Sequence, residues 1–274
     1  MSAERQSEAM PNFDRPPVIE TVFSVQFPAL KDLAVPHFGL FWQKIRETYP
    51  NFQVQPPLNA TIEKFGGQDL PQVTISVEGF SSFPVRCWFI TQDGKRILQI
   101  QNDRFIYNWR KTSHNDEYPR YESVRLEFET EWKKFCKFLE NEHLGVPEPN
   151  QCEMTYINHI EQLDNSGQPI ALSTMFHCWA SATSGGFLPD PITVACTAVY
   201  EMPNYRGRLY IDFKPAVRHA DGKRIIVLTL TSRGAPAGSK ITDVVDWFDL
   251  GREWIVRGFA DFTSEALHKQ WGRR

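Results

Sequence analysis

No stretch of the chain approaches the ~18 consecutive apolar residues that a membrane-spanning helix needs, and no charged leader with an apolar core opens it. Cysteine is sparse: five, at 87, 136, 152, 178 and 196, odd in number and without a Cys-x-x-Cys pair. That pattern argues against a disulfide framework and predicts reduced thiols in a cytoplasmic protein with no membrane partner. Charge of one sign is also lacking. A formal net charge of −3 gives no long-range field to draw nucleic acid or an anionic membrane. The familiar chemical motifs are missing as well: no His-Glu-x-x-His, no finger-type Cys/His spacing, no phosphate-cradling Gly loop and no Gly-x-Ser-x-Gly. The seven histidines (37, 114, 143, 159, 177, 219 and 268) stand isolated, so no metal, no cofactor and no catalytic residue is assigned.

Apolar mass, by contrast, is plentiful. Hydrophobic residues make up 41% of the 274, with twenty Phe and eight Trp, enough for a large core and incompatible with a disordered chain. The pentapeptide Asp-Gly-Lys-Arg-Ile occurs at 93–97 and again at 221–225. Asp-Gly between alternating apolar runs predicts a hairpin, because the turn needs positive φ.

Residues 1–14 are polar and aperiodic and read as a flexible tail. A strand over 18–27 places Ile19, Thr21, Phe23, Val25 and Phe27 on one side. A helix follows from Pro36, with Phe38, Phe41, Trp42, Ile45 and Tyr49 at helical spacing, and Pro50 stops it. Strands are expected at 58–65, 73–78, 85–91, 96–101 and 105–110, then a helix over 123–144 with a stripe of Val124, Phe128, Trp132, Phe135 and Leu139. The second half reads as strands at 153–163, 171–182, 192–201, 208–214 and 224–232, a helix over 242–262 and a short capped helix ending near Trp271.

The expected class is therefore α+β, in two similar halves, 15–148 and 149–274, each an antiparallel β-meander closed by a long amphipathic helix. The element order, β-α-β5-α then β5-α, resembles a duplicated form of the TATA-binding-protein arrangement, although fold likeness carries no function.

Two polar clusters among aromatics are candidate ligand-binding sites. Asn108, Arg110, Arg120 and Tyr121 bracket the end of a strand and the start of a helix, where backbone N–H groups favour an anion. The competing reading is a structural lock of arginine on tyrosine or tryptophan. Tyr156 and Asn158 share one face of a strand and suit a small polar ligand, or else hydrogen-bond within the sheet. Glu153 and His159, six residues apart on the opposite face, stand ~20 Å from each other and form no acid–base pair. Trp247, Gly251, Trp254 and Gly258 recur along the last long helix as a candidate interface for a homodimer or another protein partner. Arg86, Trp88, Arg96, Arg104, Trp109 and Arg110 interleave basic and aromatic types on strands, the one route by which the sheet would bind nucleic acid.

Several segments together resemble a sporadically distributed prokaryotic family of uncharacterised proteins about 260–270 residues long, over roughly residues 15–271. They are Arg15-Pro-Pro-Val-Ile-Glu20 with Phe27, Gly39-Leu-Phe-Trp42 with Tyr49-Pro50, Gln55-Pro-Pro-Leu58, Gln99-Ile-Gln101 with Asn108-Trp-Arg110, Tyr118-Pro-Arg-Tyr121, Glu153-Met-Thr-Tyr-Ile-Asn158, and Phe262-Thr263 with His268 and Trp271. The resemblance implies no activity, cofactor or site residue. It does imply a context, that of defence-associated, toxin–antitoxin or mobile-element loci. The function expected from all of this is a non-catalytic, self-associating binding or interaction protein. The alternatives are an enzyme or ligand-binding protein with an anion pocket between the halves, and nucleic-acid binding through the sheet.

Overall fold

Alternation along residues 18–27 turns Phe23, Val25 and Phe27 to one side, and that strand is the centre of a nine-stranded antiparallel sheet. The computed structural model describes residues 9–66, 85–162, 170, 172–176 and 194–274. Its strands are β1 (Val18–Gln26), β2 (Asn51–Gln55), β3 (Arg86–Ile90), β4 (Arg96–Gln101), β5 (Arg104–Arg110), β6 (Gln151–Glu161), β7 (Cys196–Glu201), β8 (Arg208–Val217) and β9 (Arg224–Gly234). They lie in the order β2-β3-β4-β5-β1-β6-β9-β8-β7. The helices are α1 (Val35–Ile45), α2 (Tyr121–Asn141), α3 (Leu172–Met175), α4 (Ile241–Phe262) and α5 (Glu265–Trp271).

The two long helices rest on the same face of the sheet. The Phe23 ring on β1 meets Phe128 of α2 at 5.6 Å and Phe248 of α4 at 5.1 Å. α1 joins them at one end, with Phe41 against Phe89 of β3 and Phe135 of α2. The aromatic stripe of α2 makes this layer. Val124, Phe128, Phe135 and Leu139 are fully buried, and each such side chain is worth roughly 1.5–3 kcal/mol relative to exposure. The core is one continuous cluster that takes in residues from Phe13 to Trp271.

Both copies of the pentapeptide make hairpin turns, β3–β4 and β8–β9. Gly94 and Gly222 sit at φ +71° and +70°, and the carboxylates of Asp93 and Asp221 accept the amides of Lys95 and Lys223 at 3.0 and 3.2 Å. The same residues thus solve the same local problem twice.

Several expectations change. The stretch read as a strand at 58–65 is an extended strap, held mainly by side chains. Gln101 exchanges hydrogen bonds with Leu58 N and O at 2.8 and 2.9 Å, and the Gln26 and Gln151 amide oxygens accept Thr61 N and Glu63 N at 3.0 and 3.1 Å. Asn51–Gln55, unassigned from sequence, is a strand. Of the strand expected at 171–182, residues 172–175 are instead the helical turn α3. The strand expected at 73–78, His177 and Cys178 lie outside the described residues. The end of the expected tail is anchored: Asp14 N and Arg15 N donate to Gly272 O and Trp271 O at 3.1 and 3.0 Å, and Arg274 N donates to Asn12 O at 2.9 Å. The boundary near residue 148 does fall in the link from α2 to β6, yet both halves build one sheet and one core.

Candidate functional site

The sheet has two unlike faces, and strand register divides the predicted residues between them. Arg104, Asn108 and Arg110 of β5 align with Gln26, Val22 and Glu20 of β1, on the face away from the helices. There Asn108 donates to Glu20 Oε1 at 2.6 Å and accepts from Gln99 Nε2 at 2.8 Å, while Arg86 Nη1 donates to Gln99 Oε1 at 2.8 Å. Burial holds the Glu20 carboxyl above its ordinary range, against the lowering effects of Asn108 and Arg110. Arg110 Nε donates to Gly94 O at 2.8 Å and so locks the first Asp-Gly turn. Asn108 and Arg110 are therefore elements of the sheet rather than members of one clamp with Arg120. Of the interleaved basic and aromatic set, Arg96 and Trp109 pair with each other across β4 and β5 on the helix side, away from Arg86, Trp88, Arg104 and Arg110.

Arg120, Tyr121, Tyr156 and Asn158 do converge. They line a cavity of about 450 Å³ between the start of α2, the middle of α4, β6 and the anchored segment 10–16. That volume lies within the range of small-molecule sites. At its polar end the Tyr118 and Tyr156 hydroxyls meet at 2.9 Å. Tyr118 is braced by Trp109, ring centroids 5.4 Å apart, and Asn158 Nδ2 donates to Leu228 O at 3.0 Å. The Tyr121 hydroxyl donates to Asp249 Oδ1 at 2.6 Å across the gap to α4, and its ring stacks on Phe23.

Arginine at this site has two jobs. Arg120, the residue before α2, stands at φ +72°, in the region disfavoured for side-chain-bearing residues. Its guanidinium donates to Phe13 O at 2.9 Å and Asp14 O at 3.0 Å, pinning the segment that closes the cavity. The expected anion clamp is thus a backbone clamp. Arg252 of α4 also lines the cavity, 4.6 Å over the Tyr121 ring and 3.2 Å from Glu122, and Arg274, paired with Asp14 at 2.8 Å, is a third arginine on its wall. Sequence reading missed Arg252, because an arginine on the polar stripe of a helix carries no local mark of what it will meet.

The phenols here are held protonated. Burial raises Tyr118 well above its ordinary value, with Tyr156 adding to it. Burial likewise raises Tyr156 to about 12. Tyr121 is pushed up by burial and by its bond to the Asp249 carboxylate. Neutral hydroxyls donate and accept but make poor bases, which suits recognition better than proton abstraction.

The candidate interface residues of α4 turn mostly inward. Trp247 is fully buried and donates to Arg206 O at 3.1 Å. A Cβ on Gly251 would come within 2.5 Å of Ser232 Oγ, and one on Gly258 within 2.6 Å of Leu209 Cδ2, so both glycines admit close approach of the chain's own sheet. Trp254 is partly buried, beside a second depression at β7 and β8.

Among the described residues, no group of three or more His, Cys, Asp or Glu is placed to hold a metal, and no helix is long and apolar enough to cross a membrane. Comparison with known families, curated proteins and solved structures finds no match.

Proposed function

We propose that the protein is a non-catalytic binding protein whose ligand is a small molecule with a planar or apolar body and polar acceptors. The ligand occupies the cavity between α2 and α4, its body against Phe259, Ile255 and Val18 and its acceptors toward Tyr118, Tyr156 and Arg252. The observation that carries this reading is the Tyr118–Tyr156 hydroxyl pair at 2.9 Å on the wall of a 450 Å³ cavity, with both phenols kept neutral. The two halves follow one plan in this reading. Each opens with the strand at the joint, β1 or β6, and sets its remaining strands outward from last to first, β5 to β2 and β9 to β7. The cavity then lies where the two units meet, with Tyr121 from the first and Arg252 from the second, and the Tyr121 hydroxyl held by Asp249.

The test is native mass spectrometry of protein purified without denaturation from its own host, beside Tyr156→Phe and Arg252→Gln. A small molecule bound to the wild type and depleted in both variants is the expected result. Ligand-free wild type, or equal loading of all three proteins, would remove the cavity as the site.

A further inference from the structure

A second site lies on the opposite face of the sheet, along the strand ends beneath the strap. Besides Arg110, which locks the first Asp-Gly turn, four arginines of the described residues share this face: Arg86 on β3, Arg104 on β5, Arg208 on β8 and Arg233 on β9. Two of them are matched by carboxylates. Arg208 pairs with Glu63 of the strap and stands 3.7 Å from Glu201, and Arg233 pairs with Glu153 at 2.5 Å and Glu63 at 3.4 Å. Glu63 also accepts the Tyr210 hydroxyl at 2.6 Å, so a buried carboxylate fills that end of the row.

The other two arginines differ. Neither Arg86 nor Arg104 has a carboxylate at ion-pairing distance among the described residues. Arg86 donates to Gln99 and leans over the Trp88 ring at 5.5 Å. Arg104 donates to Gln26 Oε1 and, at 2.9 Å, to Asn59 O of the strap. Beyond these bonds, Arg86 Nε, Trp88 Nε1 and Arg104 Nε on this face are buried without a partner among the described residues. Arg104 is only 7% exposed, and buried guanidinium N–H groups ordinarily find acceptors, since each one left without a partner is destabilising. Continuing the Cys87–Ile100 pairing sets Arg86 opposite Gln101, which is opposite Arg104. The two arginines therefore flank one strand, with backbones about 10 Å apart, a span that two such side chains close around a single anion.

We propose that this end of the face binds the oxyanion of a ligand, a phosphate or carboxylate group, held between Arg86 and Arg104 with Trp88 Nε1 as a third donor. Both guanidiniums are held below their ordinary pKa by burial, Arg104 against the raising effects of Asp103 and Glu153, and Arg86 further by the like charge of Arg104, a repulsion that a bound anion relieves. Arg86 and Trp88 are half-buried while Arg104 lies under the strap, so the anion enters from the β3 side. This site is independent of the cavity beneath α4.

The experiment is thermal unfolding of the full chain at fixed ionic strength as orthophosphate, or separately succinate, replaces chloride. Orthophosphate or succinate, whichever group the site takes, is expected to raise the Tm saturably in the wild type. Arg86→Gln and Arg104→Gln are expected to lose at least nine-tenths of that rise, and Lys133→Gln, on the exposed side of α2, to keep it. A response to succinate alone assigns the site to carboxylates; a response to orthophosphate assigns it to phosphates. No saturable response to either anion, or an undiminished one in Arg86→Gln, overturns the proposal. Arg86 gives the decisive variant because among the described residues its one polar bond is to Gln99, so the fold tolerates its loss even where Arg104→Gln does not fold.

Discussion

Single side chains decide what the cavity can do. Six tyrosines (49, 107, 118, 121, 156 and 210) have phenols raised by burial, Tyr156 and Tyr210 to about 12. An unfolded phenol ionises near pH 10, so above that pH the unfolded chain holds fewer protons than the folded one. Their contribution to stability is complete below about pH 10 and is lost as pH rises toward 12. In an alkaline titration, phenolate absorbance from these residues should appear together with loss of near-UV dichroism. Full phenolate signal from a chain that keeps its tertiary dichroism would contradict the burial assigned to them. At this scale the sequence was half legible. Tyr121, Tyr156 and Asn158 were found because polar groups set among aromatics mark a wall of mixed character. Asn108 and Arg110 were misplaced because nearness in sequence to Arg120 hides the fact that they point through the other face of the sheet.

Elements with a strong period were the most readable. α2 and α4 appear within a few residues of their expected ends because burial on one side enforces the 3.6-residue repeat. The strap escaped notice for the opposite reason. Residues 58–65 alternate like a strand, yet their backbone is bound largely by the glutamines Gln26, Gln101 and Gln151, which no local pattern announces. β2 was missed because Phe52 and Val54, at 57% and 60% exposure, give no buried side to detect. The glycines of α4 offer a graded test of its packing. A methyl at Gly251 meets Ser232, which is fully buried, whereas at Gly258 it meets the free end of Leu209. Overpacking costs about 1–3 kcal/mol against roughly 1 kcal/mol gained in helix propensity. Gly251→Ala should therefore destabilise by up to about 2 kcal/mol in urea denaturation. Gly258→Ala should stay within about 0.5 kcal/mol of wild type, as the Leu209 methyl can turn aside. The reverse ranking would mean that α4 sits differently on the sheet.

For the whole molecule, two halves sharing one sheet means two halves sharing one fate. β6 needs β1 along one edge, and α4 packs through Phe248 on Phe23 and Phe128 of the first half. A chain of residues 149–274 alone exposes that edge and those rings. It is expected to show neither dispersed amide resonances nor a cooperative melt, while the full chain melts in a single calorimetric transition. A fragment that folds by itself would show the joint to be a contact between finished domains. The central place of β1 has a further consequence, in time rather than space. Among the described strands it is made before both of its neighbours, Arg104–Arg110 and Gln151–Glu161, so it waits unpaired until the first of them has been made and half-paired until the second. Closing the sheet on it needs pairings of long sequence separation, which slow folding, and the apolar Phe23–Phe27 side is what a chaperone would have to shield meanwhile.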